Sequence, residues 1–161
     1  YSGSVLVFTR TKFIAKRIAL SLRNKGHQAV EIHSNRSLSQ RREALDGFKA
    51  GRYRGMVATD IAARGIDVSG IEVVINYDLP EKAEDYVHRI GRTARAGREG
   101  RAISFATPDQ KGNVRDIERL MRITLPIAGG VVPAGDPKPV RSVRRPSSSA
   151  RPGARHFGRR R

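Results

Sequence analysis

The 161-residue chain contains no cysteine, which excludes disulfides and thiolate-ligated metal sites and fits a reducing, cytoplasmic setting. No apolar run approaches the roughly 18 to 20 residues of a membrane span, so no membrane partner is expected. The amino-terminal Tyr1-Ser-Gly-Ser-Val-Leu-Val-Phe8 has neither the basic nor the long apolar region of a secretory leader. It also lacks an initiator Met and enters a strand almost at once, so the chain reads as a piece of a longer protein. Several chemical signatures are missing as well. No Gly-x-x-x-x-Gly-Lys-Ser/Thr loop is present to cradle phosphates. No strand ends in an Asp-Glu pair that could hold Mg²⁺, and neither a His cluster nor a nucleophile elbow occurs. No metal site is expected in this chain.

Acidic residues are scarce. Thirty-two Lys and Arg stand against 15 Asp and Glu, a formal net charge of +17. Most of the cations are Arg, whose planar fork of donors matches phosphate oxygens in a bidentate way. A balance this basic points to a polyanionic partner, with nucleic acid ahead of acidic lipid or a merely solvated surface.

The chain changes character near Pro126. Residues 1–126 carry +9 (23 basic, 14 acidic), and 127–161 carry +8 (9 basic, 1 acidic) in far fewer residues. The second stretch holds Gly129-Gly130, five Pro and Ser147-Ser-Ser149. It has little apolar surface to offset the entropy of ordering, so it reads as a disordered Arg-rich tail. Such a tail is expected to bind RNA non-specifically and with strong salt dependence, a passive solubilising role being the alternative.

Within 1–126, short apolar runs alternate with segments of helical period. Strands are expected at Val5–Phe8, Ala29–His33, Met56–Thr59, Val73–Asn76 and Ala102–Ala106. Helices are expected at Thr11–Asn24, with Ile14, Ile18 and Leu22 on one stripe and Gly26 as a stop, and at Leu38–Lys49, with Leu45 and Phe48 buried. A last helix over Asp109–Arg122 should turn Val114, Ile117, Leu120 and Met121 inward. The alternation implies an α/β fold, a parallel sheet of about five strands with helices on both faces. In such sheets ligands gather at the carboxyl ends of the strands.

Three segments place polar chemistry at those ends. Phe8-Thr-Arg-Thr-Lys12 brings hydroxyls and cations to a helix start, where backbone N–H groups attract anions; Thr9 or Thr11 as a plain helix cap is the structural alternative. Ala58-Thr-Asp-Ile-Ala-Ala-Arg-Gly-Ile-Asp67 offers Asp for a sugar hydroxyl and Thr59 for a phosphate. Capping, or a local pair of Arg64 with Asp60 or Asp67, is the alternative there. Asp85-Tyr-Val-His-Arg-Ile-Gly-Arg-Thr-Ala-Arg-Ala-Gly97 spaces Arg89, Arg92 and Arg95 three apart, a repulsive arrangement unless an anion sits among them. Arginines without a nucleotide pocket of their own suggest fingers supplied to a pocket on another domain.

In this order, Phe8–Lys12, Ala58–Asp67 and His88-Arg-Ile-Gly-Arg-Thr-Ala-Arg95, with Asn76-Tyr-Asp-Leu-Pro80 before the last, the motifs resemble those of the second RecA-like domain of DEAD-box ATP-dependent RNA helicases. The likeness covers residues 4 to about 125, and its detail points towards a bacterial RhlE-like branch. It implies that Arg92 and Arg95 reach the γ-phosphate of ATP and that Asp67 binds the ribose. Thr11, Lys12, Arg41, Thr59 and Arg64 would hold the RNA backbone, and His88 and Arg89 would couple the two domains. The partners implied are RNA, held with weak sequence preference, and an N-terminal RecA-like domain. The cofactor implied is ATP with Mg²⁺, the metal held by that other domain.

Three positions depart from the family pattern. Leu38 stands where the Gln of a Gln-x-x-Arg element is usual, so that element should grip RNA through Ser39 and Gln40 or less well. Ser34 replaces a Gly, and Ala94 replaces the Gly between the two finger arginines. Alanine carries a Cβ, so a negative φ is expected at Ala94, with ATPase activity nearly unchanged in Ala94→Gly. A stand-alone RNA-binding or scaffolding module without ATPase activity is the competing reading, and a DNA translocase is a more distant third.

Overall fold

A computed structural model of the chain describes residues 3–63, 68, 70–94 and 99–129. Five strands, β1 (Val5–Thr9), β2 (Ala29–Ile32), β3 (Gly55–Thr59), β4 (Val73–Asn76) and β5 (Arg101–Ser104), form a wholly parallel sheet in the order β2-β3-β1-β4-β5. The helices are α1 (Lys12–Asn24), α2 (Leu38–Lys49), the short α3 (Asp60–Ala63), α4 (Ala83–Ile90) and α5 (Lys111–Met121). This is the RecA-like sheet with helices on both faces.

The central strands are buried on both sides, as strict alternation along β1 shows, but the run at Ala102–Ala106, expected as a buried strand, is an edge strand whose residues are exposed or half-buried. Leu6 and Phe8 join Ile32, Met56, Ala58, Val74, Ala44 and Phe48 in the cluster under α2. Val7 joins Val57, Ala15 and Ala19 under α1. A third cluster unites Leu79, Tyr86 and Ile117 between α4 and α5. Side chains of period two on the strands and 3.6 on the helices meet here, each full burial of a Leu or Phe contributing about 1.5–3 kcal/mol. Left-handed Gly26 (φ 82°) and Gly51 (φ 76°) follow α1 and α2, where the absence of a Cβ lets the chain turn away from the helix axis.

Most elements fall where expected, with four further differences. The centre of the α1 face is Ala15 and Ala19, with Ile18 and Leu22 only half-buried beside them, because the backbone lies too close to the sheet for larger residues. Leu120 does not face inward; it is 47% exposed, one position round the helix from the stripe of Val114, Ile117 and Met121. The last helix begins with a 3₁₀ turn at Pro108–Gln110, since Pro108 suits a first turn that needs no N–H. Residues 83–90, quoted above only as part of a motif, form α4.

Topology locates the site. The chain leaves β1 towards β2 on one side, then passes from β3 across β1 to β4 on the other. This reversal opens a crevice at the carboxyl ends of β3, β1 and β4. Among the described residues no helix is long and apolar enough to cross a membrane. The tail expected from residue 127 lies, beyond 129, outside the described residues.

Candidate functional site

The crevice is built around a buried guanidinium. Arg89, 3% exposed, donates from Nε to Asp60 Oδ1 at 2.7 Å and from Nη2 to Asp60 Oδ2 at 2.6 Å. Its Nη1 donates to Asn76 Oδ1 at 3.2 Å and to the Asp78 carbonyl at 2.7 Å, and Cζ lies 5.1 Å over the Phe8 ring. A bidentate Arg–carboxylate pair with further acceptors on the remaining donors is the arrangement that makes a buried charge tolerable. The network runs on: Asn76 Nδ2 donates to Ser104 Oγ at 3.1 Å, and Ser104 Oγ donates to Tyr86 Oη at 3.3 Å. It ties α3, α4, β4 and β5 together at one end of the sheet.

Two clefts open on either side of this pair. The first is a groove over Phe8 between α3 and α4, lined by Asp85, His88 and Arg92 with Asp60 and Arg89 as its floor. Asp85, His88 and Arg89 are spaced three and four residues from the first on α4, and Arg92 follows just past the helix end. The second contains Arg10, Thr11, Lys12, Ser34 and Thr59, with Asp60 and Arg89 again at its base. The structure thus gathers Thr11, Lys12 and Thr59 into one cleft, and His88 and Arg92 into the neighbouring one. Arg64, Asp67 and Arg95 lie outside the described residues.

Several roles look different in three dimensions. Arg89 does not need an anion to relieve it from its neighbours, because Asp60 neutralises it. Asp60 is paired with Arg89 across 29 positions of sequence; the local pair with Arg64 expected as an alternative lies outside the described residues. Thr11 caps α1, accepting from the Ile14 N–H at 3.3 Å, and Lys12 Nζ donates to Asn35 Oδ1 at 3.0 Å. Arg41 donates to the Ala62 carbonyl at 3.1 Å and so fastens α2 to the end of α3. Ser37 and Gln40 form a reciprocal capping box, which engages Gln40 Oε1 with the Ser37 N–H at 3.1 Å. The Gln40 carbonyl is therefore committed to the helix end, and Leu38 is 63% exposed beside it. The Ser-x-x-Gln spacing was the signal for this box.

Ala94 corrects an expectation outright: its φ is +53°, the left-handed region. The chain turns there immediately after Thr93. Ile71, two residues before β4, pairs with Thr93 in an isolated parallel bridge, and Gly70 (φ 75°) turns the chain just before it.

At the far edge, buried Glu31 accepts from Arg23 at 2.7 Å and from Arg36. Burial alone would raise its pKa, but the hydrogen bonds and charges of Arg23 and Arg36 outweigh it and hold the carboxyl below its usual range. His33, 6% exposed at the end of β2, accepts at Nδ1 from the Asn35 N–H at 3.3 Å. Burial first, then Arg36, with Lys12 and Lys16 adding to it, pushes its pKa down against the opposing pull of Glu31, so the ring is neutral near pH 7.

With this geometry in view, comparison with known proteins decides the family. Residues 1–97 match the family model described as the helicase conserved C-terminal domain. The chain belongs to that family. It is 48% identical over 120 residues to the ATP-dependent RNA helicase dbp2 of Aspergillus clavatus, covering 74% of this chain and 22% of the relative. It is 48% identical over 130 residues to DEAD-box ATP-dependent RNA helicase 5 of Arabidopsis thaliana, covering 81% and 24%. The structure of the E. coli DEAD-box protein SrmB, solved bound to regulator of ribonuclease activity A, superposes with a TM-score of 0.71 at 35% identity, covering 76% of this chain and 72% of that one. The chain spans about a quarter of the length of the curated relatives it matches. This is the C-terminal helicase domain of the DEAD-box type, and the relatives' names favour a motor domain over a stand-alone scaffold. These curated relatives are fungal and plant proteins, so the bacterial RhlE-like branch is not supported.

Among the described residues of this helicase domain, no group of three or more His, Asp or Glu stands together to hold a metal. The nearest carboxylates of the groove, Asp60 and Asp85, are accompanied by Arg89, Arg92 and His88. That donor set suits phosphate oxygens better than a cation.

Proposed function

We propose that this domain is the second half of the motor of an RNA-dependent ATPase that separates short RNA duplexes, acting with an N-terminal RecA-like domain of the same protein. Arg92 and Arg95 are its arginine fingers and meet the γ-phosphate of ATP as the two domains close. Asp67 accepts from the ribose. Thr11, Lys12, Arg41, Thr59 and Arg64 hold RNA phosphates and sugars, which carry no base information, so sequence preference is weak. Mg²⁺ travels with ATP and is held by the other domain. The tail adds salt-dependent RNA affinity, and the protein works in the cytoplasm.

One observation carries this reading. α4 and the turn that follows it set His88 and Arg92 along an open groove, while Arg89 from the same helix is locked into the domain by Asp60. A rigid helix with a fixed arginine beneath and another at the rim is suited to deliver positive charge to phosphoryl oxygens without reorganisation. Arg89 acts in coupling by fixing where α4 stands, and His88 by lying exposed on the same rim.

The test is steady-state ATPase measurement on the full-length protein with and without RNA. Arg92→Ala should lower turnover by about a hundredfold or more while nucleotide binding changes little, as expected when charge stabilisation is lost in the transition state. Turnover retained within a few-fold would overturn the finger assignment.

A further inference from the structure

The two proposed fingers are separated by Thr93 and Ala94, and Thr93 is held in an unusual way. Its side chain is buried, 6% exposed, within a loop whose neighbours lie at the surface. The hydroxyl donates to the Ile71 carbonyl and is shared with the Glu72 carbonyl at 3.2 Å. On the backbone, Thr93 N–H donates to Ile90 O at 3.0 Å, and Ile71 N–H donates to Arg92 O at 3.4 Å, closing the isolated bridge. Both sides of the bridge end in left-handed residues, Gly70 and Ala94. From behind, Gly100 packs so closely that a Cβ there would lie 1.9 Å from Thr93 Oγ1 and 2.4 Å from Ala94 N.

We propose that Thr93 is a positioning residue for the finger arginines, its hydroxyl pinning the end of α4 to the lead-in of β4 so that Arg92 is presented to the groove at a fixed height. This rests on the reading of Arg92 as a finger and says what holds it. The physical reason is the geometry of the helix end. α4 stops at Ile90; Gly91 N–H closes its last i→i−4 bond, to Val87 O at 2.9 Å, and Arg92 follows outside the helix. Arg92 N–H still donates to Arg89 O at 3.2 Å, so one side is tied to the buried guanidinium pair. Its carbonyl accepts from the Ile71 N–H at 3.4 Å, a long bond that links the two sides of the bridge. The Thr93 hydroxyl adds a second tie beside it, donated to the Ile71 and Glu72 carbonyls. An ordinary loop would let Arg92 move by an ångström or more, enough to cost about a hundredfold in rate when the group acts by position.

The experiment compares Thr93→Val, Thr93→Ser and Gly100→Ala in the full-length protein. Valine keeps the shape and removes the hydroxyl; serine keeps the hydroxyl. Gly100→Ala leaves the hydroxyl but forces its seat to shift. Thr93→Val and Gly100→Ala should each lower kcat by about 10- to 100-fold, with KM for ATP and RNA affinity changing less than about threefold, because binding contacts are untouched. Thr93→Ser should restore kcat to within about threefold of wild type. In the same proteins, amide exchange at Ile71 should quicken by about tenfold or more in Thr93→Val and stay slow in Thr93→Ser. Unchanged exchange at Ile71 in Thr93→Val would overturn the pin whatever the ATPase shows. So would a Thr93→Ser protein as slow as Thr93→Val, which would assign the effect to packing of the methyl group. A wild-type protein without RNA-stimulated turnover would instead sink the motor reading, and the exchange comparison would still decide whether Thr93 pins the segment.

Discussion

The two ends of the sheet each bury an ion pair, and they do so in opposite senses. At the β2 edge the carboxylate is inside: the Glu31 side chain is 2% exposed, while Arg23 and Arg36 are 40% and 37% exposed. At the β3–β1–β4 crevice the arginine is inside: Arg89 is 3% exposed and Asp60 35%. Both arrangements satisfy the buried ion with several hydrogen bonds. They differ in what is left at the surface. The first offers two cations that could return to water at little cost. The second offers a carboxylate at the rim of a ligand groove and hides its cation as a foundation for α4. A buried charge cannot be released without a large penalty, so the buried partner marks which element must not move. At β2 that element is an edge strand. At the crevice it is the helix that carries the proposed finger.

This contrast can be broken most severely at Asp60. Asp60→Ala leaves the Arg89 charge buried with only neutral acceptors, and should cost about 3–5 kcal/mol, read as a fall in unfolding temperature of roughly 10–20 °C. A fall of only a degree or two would show that Arg89 is not committed to the fold. Glu31→Gln should cost less, about 1–2 kcal/mol near neutral pH, because Arg23 and Arg36 regain solvent. Its effect has a defined pH sense. The folded-state pKa of Glu31 lies below the ordinary glutamate value of 4.5, held down against its burial by Arg23 and Arg36. The wild-type advantage is therefore present above about pH 4.5 and lost as pH falls through the lower folded value. Denaturant midpoints of wild type and Glu31→Gln should converge on acidification; a gap that widens would contradict the pairing. The smallest effect is at Ala94. Glycine tolerates its φ of +53° without the strain of a Cβ, so Ala94→Gly should stabilise by up to about 1 kcal/mol, a few degrees in melting temperature. Turnover should be nearly unchanged, since glycine can keep the same turn.

Much of this was readable along the chain. Val5–Phe8, Met56–Thr59 and Val73–Asn76 are short apolar runs with no room for solvent on either side, and each is a central strand. Helical spacing found α1, α2 and α5, and the Arg-rich motifs singled out the clefts later assembled by the fold. The failures share one cause. Leu120 is expected inward from spacing alone, yet the stripe that α5 buries against α4 and Leu79 is narrow and passes through Val114, Ile117 and Met121. Arg89 looked like one of three equivalent cations, because its partner Asp60 is near only after the sheet brings α3 and α4 together. Ala94 was expected at negative φ from its Cβ, and the bridge to Ile71 overrode that local preference.

Residue type and order alone therefore determined the alternation of strands and helices, the basic charge, the absence of a phosphate loop and the family to which this helicase domain belongs. These depend on local periodicity and on contiguous motifs, both of which are written along one dimension. Tertiary structure alone decided which arginine is a foundation and which lines the groove. It also decided that Thr93 is buried and that Asp60 answers a residue 29 positions away. Those outcomes depend on burial and on hydrogen-bond partners distant in sequence, and a side chain's charge means something different at 3% exposure than at the rim of a groove.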